Sequence, residues 1–261
     1  MTSGIGYPGA FATSVDSGGP VGLDTGYIRD CKVSWLSVTQ VQIATGVCRS
    51  DDDTTDIQVS GVLTVDITAT GANGRNVDTA EAANKWYAIY IIKNTATGAI
   101  AGFLINEDDL LTFTWPVGYT KKRRVGWIRN NATSNLRDGV YIGKGSSRYF
   151  QYRVNYTELM ALSAGSAVVY TNVDISEWVP PTSTYVRTNN FYDPNTGASY
   201  FYLRPDGSSY ATPIYFSWGT TYPSTDAFID VETSTSQIIE YLVGNAADDL
   251  YIYIAGFYDE V

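Results

Sequence analysis

The densest cluster of side chains able to do chemistry lies between residues 116 and 153. There Lys121, Lys122, Arg123, Arg124, Arg129, Arg137, Lys144, Arg148 and Arg153 stand against a single acid, Asp138. Fixed cations at this density attract carboxylates, phosphates or charged sugars by field rather than by bond-making. Beyond residue 153 the sign reverses, with only Arg187 and Arg204 among many carboxylates. Such segregation points to a charged partner. The expected assembly contact is Lys121, Lys122, Arg123 and Arg124 together with Arg129. Glu232, Glu240, Asp248 and Asp249 are expected counter-charges in a neighbouring subunit, where complementarity fixes register more than it adds affinity.

Other chemistries are narrowed by what is absent. The chain has no histidine. Ser-His-Asp and Cys-His nucleophiles therefore cannot be built in cis, nor can the usual His-containing zinc and non-haem iron sites. Carboxylate chemistry and oxygen-ligated calcium stay open. Asp51, Asp52 and Asp53, within Ser50-Asp-Asp-Asp-Thr-Thr-Asp56, have the composition of a calcium loop. They lack the glycine and the bidentate glutamate of an EF-hand, and an Asp triplet reads first as a solvated turn. A glycosidase needs two carboxylates about 5–10 Å apart on a cleft, and no motif here selects a pair. The expectation is a protein without catalytic activity, metal or cofactor. Cys31 and Cys48 show no metal-ligand spacing; they can face each other across paired strands, and free thiols are the expected state.

The net charge of −10 argues against nucleic acid as the general partner, because phosphate neutralisation needs a basic face. With 44% hydrophobic and 17% charged residues the composition is that of a folded globular chain. No apolar run reaches transmembrane length, and Met1 to Ala10 lack a basic region followed by an apolar one, so neither a membrane span nor a Sec leader is expected. Tyrosine is abundant, and its rings suit strands, interfaces and sugar platforms. Trp115, Trp127, Trp178 and Trp218 are candidates for stacking on a glycan, set against the commoner fate of tryptophan in a sandwich core.

These groups must be positioned mainly by strands. Residues 1–26, rich in Gly, Ser, Thr and Pro, read as an extended anchoring arm. Residues 27–261 read as a β body, with a candidate division into two modules near 179–183, where Pro180 and Pro181 stiffen the chain. Alternation from Ile57 to Ala69 predicts one half-buried strand, and Lys32 to Thr45 a strand with a bend. Trp86 to Lys93 is apolar on both faces and predicts a central strand. Asp78 to Asn84 has a capping residue and helix formers for one or two turns. Further strands are predicted near 100–105, 124–129, 149–155, 167–175, 184–191, 199–204, 212–218, 237–243 and 250–257. Short strands punctuated by turns indicate an all-β fold of sandwich or jelly-roll type, with short helical turns.

Several segments, in order, resemble a type of tailed-bacteriophage virion surface protein described as tail-fibre-like, head-decoration or minor structural. They are Gly71-Ala-Asn-Gly-Arg75, Asn84-Lys-Trp-Tyr-Ala-Ile-Tyr90, Pro116-Val-Gly-Tyr-Thr-Lys-Lys-Arg-Arg-Val-Gly126 and the turn Arg129-Asn-Asn-Ala-Thr-Ser-Asn135. Trp178-Val-Pro-Pro181, Leu203-Arg-Pro-Asp-Gly207 and Tyr253-Ile-Ala-Gly-Phe-Tyr-Asp-Glu260 follow. Residues 1–23 lie outside the resemblance. It implies a particle-surface protein assembled in the bacterial cytoplasm, built of β-sandwich modules, often trimeric and without enzymatic activity. The arm would attach it to capsid or tail proteins. A receptor-binding fibre that recognises a host surface glycan is the alternative it allows.

Overall fold

Branched and aromatic residues at alternate positions send one side of each strand into a shared core. The structure, a computed structural model, describes residues 24–195, 200–209, 214–217, 225–233 and 235–261. Its strands in chain order are β1 (Ile28–Asp30), β2 (Val33–Ser37), β3 (Gln40–Ile43), β4 (Gly46–Arg49), β5 (Asp56–Val59), β6 (Leu63–Asp66) and β7 (Gly74–Arg75). There follow β8 (Lys85–Asn94), β9 (Ile100–Asn106), β10 (Tyr119–Asn130), β11 (Gly139–Ile142), β12 (Ser147–Tyr152), β13 (Met160–Gly165) and β14 (Thr171–Asp174). The last are β15 (Ser183–Asp193), β16 (Tyr200–Pro205), β17 (Ile214–Ser217), β18 (Thr225–Glu232), β19 (Ile238–Val243) and β20 (Asp249–Glu260). Helix among the described residues is limited to single 3-10 turns at Glu107–Asp109 and Tyr156–Leu159.

The principal sheet has the order β18-β15-β20-β12-β11-β2-β3-β6, with β13 also paired to β20. A second sheet, β10-β8-β9-β7, packs on it: Trp86 of β8 meets Phe257 of β20 edge-on at 5.5 Å, and the Trp127 amide donates to the Tyr141 hydroxyl at 2.7 Å. A third, β14-β19-β16-β17, covers the other end through Phe201, 5.3 Å from Tyr192 of β15. A small sheet, β1-β4-β5, closes one side. The result is an all-β fold of several sheets in sandwich-like layers. One cluster of buried apolar side chains joins them, from Ile28 to Val261. The strand after Pro180-Pro181, β15, pairs with β20 in the same sheet that holds β2 and β3.

Three local expectations are corrected. The single strand over 57–69 is two strands in different sheets, β5 on β4 and β6 on β3. Ile57, Val59, Val65 and Ile67 are all buried as the alternation requires, but the chain breaks at Ser60-Gly61 and changes sheet. The bent strand over 32–45 is the hairpin β2–β3. No helix forms at 78–84: Asn76 caps the Asp78 amide, the Ala82 amide donates to the Tyr87 hydroxyl, and Asn84 sits at φ 56°. Side chains just outside the segment take these amides in place of helical carbonyls. The central strand at 86–93 is β8, flanked on both sides by β10 and β9.

Candidate functional site

The basic stretch lies on β10, which pairs antiparallel with β8 and carries a bulge between Arg124 and Gly126. Lys121 donates to the Asp52 carboxylate at 2.6 Å and to the Thr54 hydroxyl at 2.7 Å. Lys122 lies 4.3 Å from the Trp115 ring centre. Arg123 donates to the main-chain oxygens of Val261 at 2.6 Å and Gly26 at 3.0 Å, with Asp51 at 3.9 Å. Arg124 donates to Asp259 at 2.7 Å and to the Glu260 carbonyl, and lies over Trp127. Arg129 sits 3.9 Å from Glu107 and over Trp86. The charges predicted to face a neighbour are thus engaged within the chain.

Arg124 holds the most consequential of these contacts. Asp259 is fully buried, and its second oxygen accepts from the Thr182 hydroxyl, which in turn accepts from the Trp127 indole, each at 2.8 Å. Burial pushes the Asp259 carboxyl above its ordinary value, and Arg124 opposes the shift. Asp51 is raised for the same first reason, with Arg123 opposing. Asp52 is held well below the carboxylate range, first by the hydrogen bond from Lys121.

The Asp triplet does not converge on one point. Asp52 is bound to Ser50, Thr54 and Lys121, Asp53 accepts from the Gly26 amide, and Asp51 is turned toward Arg123. Among the described residues no group of three or more His, Cys, Asp and Glu is arranged to hold a metal. Of the acids expected as intersubunit partners, Glu240 pairs with Arg204, and buried Asp248 accepts from the Tyr192 hydroxyl at 2.7 Å and the Asn195 amide at 2.9 Å. Glu232 is exposed and Asp249 half-buried.

Of the four candidate tryptophans, the three described ones differ in exposure. Trp127 is completely buried, so neither face of its ring can meet a sugar. Trp178 is half-buried with its indole donating to the Glu158 carbonyl. Trp115 is half-buried, packs edge-on against Tyr90 and Phe113, and borders a cavity of ≈330 Å³ with Val77, Asp78, Phe103 and Val117. Trp218 lies outside the described residues.

A different aromatic surface comes from strand pairing. On β15, Tyr185, Arg187, Asn189 and Phe191 alternate with buried Val186, Thr188, Asn190 and Tyr192. Register sets Tyr185 beside Tyr258, Asn189 beside Tyr253 and Phe191 beside Tyr251 on β20, with Phe228 across from Asn189 on β18. Phe228 is 66% exposed, an unusual degree for a phenylalanine in a strand. Tyr156 stacks on Tyr253 at 3.6 Å. Tyr149 of β12 lies over Gly256, where a Cβ would come within 2.6 Å of its hydroxyl. Arg187 forms a forked pair with Asp230 at 2.8 and 2.9 Å and lies 5.3 Å from the Tyr149 ring centre. Burial pushes the Tyr149 phenol up to about 12, against the pull of Arg187, so it stays neutral at physiological pH.

Rings, a planar amide and a forked ion pair thus lie together on one sheet face. Its sequence signal is the alternate-position tyrosine and phenylalanine of 185–191 and 251–253; the pairing that joins them is long-range. No protein-family model matches the chain, and no curated protein sequence is detectably similar to it.

Proposed function

We propose that the chain is a non-catalytic structural protein of the surface of a tailed-phage virion, acting as capsid decoration or fibre component. In this reading its layers are of jelly-roll type, it assembles as a homotrimer, and residues 1–26 attach it to the particle. The observation that carries the reading is the convergence of the resembling segments. Arg124, of the segment ending at Gly126, pairs with Asp259, and Trp86, of the segment from Asn84 to Tyr90, meets Phe257, both of them in the closing segment. Segments far apart in sequence therefore serve a common architecture, as an ordered resemblance to a structural protein requires. The open aromatic face supplies a contact surface.

Immunogold labelling, with antibodies to the chain, of particles from the host–phage system that encodes it is expected to mark the head or tail. The purified chain should have the mass of three copies. Unlabelled particles and a monomeric mass would overturn the proposal. Deleting residues 1–23 leaves Gly26 and its contacts with Arg123 and Asp53 in place. The shortened chain is expected to fold and to be absent from particles; normal incorporation would remove attachment by the arm.

A second reading, recognition of a host surface glycan, is favoured specifically by the aromatic face of β18, β15, β20 and β12. Tyr253→Ala and Phe228→Ser should then abolish adsorption to host cells or glycan arrays while leaving the melting temperature nearly unchanged. Failure of the unaltered chain to bind either at micromolar concentration would remove this reading.

A further inference from the structure

We infer that Cys31 and Cys48 form an intrachain disulfide by exchange with a small-molecule disulfide, Cys31 attacking first and Cys48 resolving. The two thiols are free and fully buried. Strand register places them together: β1 pairs with β4 so that Ile28 lies opposite Cys48 and Asp30 opposite Gly46. Gly46 and Cys48 share one face of β4 because side chains alternate along a strand. Asp30 and Cys31 then take left-handed φ values of 58° and 52°. That turn folds the Cys31 sulfur back over Gly46, to 2.7 Å from where a Cβ would stand. Only glycine leaves room for the sulfur there, on the face of β4 that also carries Cys48.

The surroundings favour a thiolate at Cys31. Arg148 is 1% exposed, and its guanidinium donates to the carbonyls of Asp30 at 2.6 Å, Cys31 at 3.2 Å and Gly145 at 2.9 Å. A buried cation held by carbonyls is best balanced by a nearby anion. The hydrogen bond from Cys48, reinforced by Arg148, lowers the Cys31 pKa, and the same hydrogen bond first, then burial, raises that of Cys48. The buried Arg148 guanidinium, held against the Asp30 and Cys31 carbonyls, assigns the attacking role to Cys31.

The exchange balances without another reagent. The Cys31 thiolate attacks one sulfur of oxidised glutathione, releasing a glutathione thiolate and leaving a mixed disulfide. Cys48 loses its proton to that thiolate and attacks the Cys31 sulfur, expelling the second glutathione. Two protein thiols are oxidised and one small disulfide is reduced to two thiols. Access comes through local opening of β1, a three-residue strand at the edge of its sheet. The chemistry does not depend on the virion assignment.

The test incubates the reduced full-length chain with oxidised glutathione, then unfolds it in acid, alkylates it and weighs it. The expected product has lost two hydrogens, takes up no alkylating agent, and yields a peptide pair joining Cys31 to Cys48. Its melting temperature should rise by roughly 5–10 °C over the reduced chain, given the closure of a short loop. Cys48→Ala should trap one glutathione on Cys31, whereas Cys31→Ala should leave Cys48 unmodified. If a variant does not fold, the mass of the unaltered chain still decides. Two alkylatable thiols after incubation, retained glutathione or a cross-link between chains would each overturn the inference.

Discussion

Arg124→Met is expected to lower folding stability by about 3–5 kcal/mol at neutral pH, because it leaves the carboxylate of Asp259 buried without its cation. Arg124 reaches Asp259 at 2.7 Å, and Asp259 is fully buried, whereas the partner of Lys121, Asp52, is half exposed. Screening by water makes the second pair worth far less, so Lys121→Met should cost much less than Arg124→Met. Reversing all four charges from Lys121 to Arg124 should therefore unfold the chain before it tests any contact between subunits.

The pH dependence identifies the charge left behind. Asp259 already has a folded-state pKa above 3.8, and losing Arg124 raises it further. A carboxyl with a raised folded pKa keeps its proton in the native state to higher pH than in the unfolded chain, so its penalty falls as pH drops through that raised value. The deficit of Arg124→Met relative to the unaltered chain should be full at neutral pH and shrink toward pH 4. Urea unfolding at a series of pH values reads this directly. A deficit independent of pH would mean that lost packing over Trp127, and not the stranded carboxylate, causes the effect.

The second large effect is expected at Phe257→Ala, at about 3–5 kcal/mol. Phe257 is fully buried, stacked on Phe150 at 4.9 Å and edge-on to Trp86 at 5.5 Å, so it joins the principal sheet to the second one. Its neighbour Tyr258 points to the opposite, solvent-facing side, beside Tyr185 and Tyr149. Tyr258→Ala should therefore stay within about 1 kcal/mol, in the range of surface substitutions. Thermal unfolding of the two variants side by side checks the assignment of faces. Equal losses would contradict the alternation on which both the core and the outer aromatic surface depend.

Much of the strand content was legible because alternation is local. β8, β9, β15, β16, β19 and β20 fall where apolar and aromatic residues recur at period two or in short runs. Breaks were harder to read. From Ile57 to Ala69 the apolar parity of Ile57, Val59, Leu63, Val65 and Ile67 continues across Ser60-Gly61-Val62, yet there the chain passes from one sheet to another, and parity is blind to a change of partner. The failed helix at 78–84 has a more local origin, since the side chains of Asn76 and Tyr87 take the Asp78 and Ala82 amides.

The candidate site shows the same division more sharply. From residue types alone followed the exclusion of histidine-dependent chemistry, the strand-rich fold and a surplus of rings able to form a face. The meaning of the basic run did not follow, because Arg124 finds Asp259 across 135 positions and Arg123 finds Val261 across 138. Nor did the choice of aromatic surface: Trp127 is sealed in the core, while Tyr185, Tyr253 and Phe228 are brought to one face by the pairing of three strands. Period and composition act between neighbours along the chain and survive in the sequence. Which charge is neutralised, which thiol meets another and which ring stays in water depend on sheet register, and only the folded chain sets it.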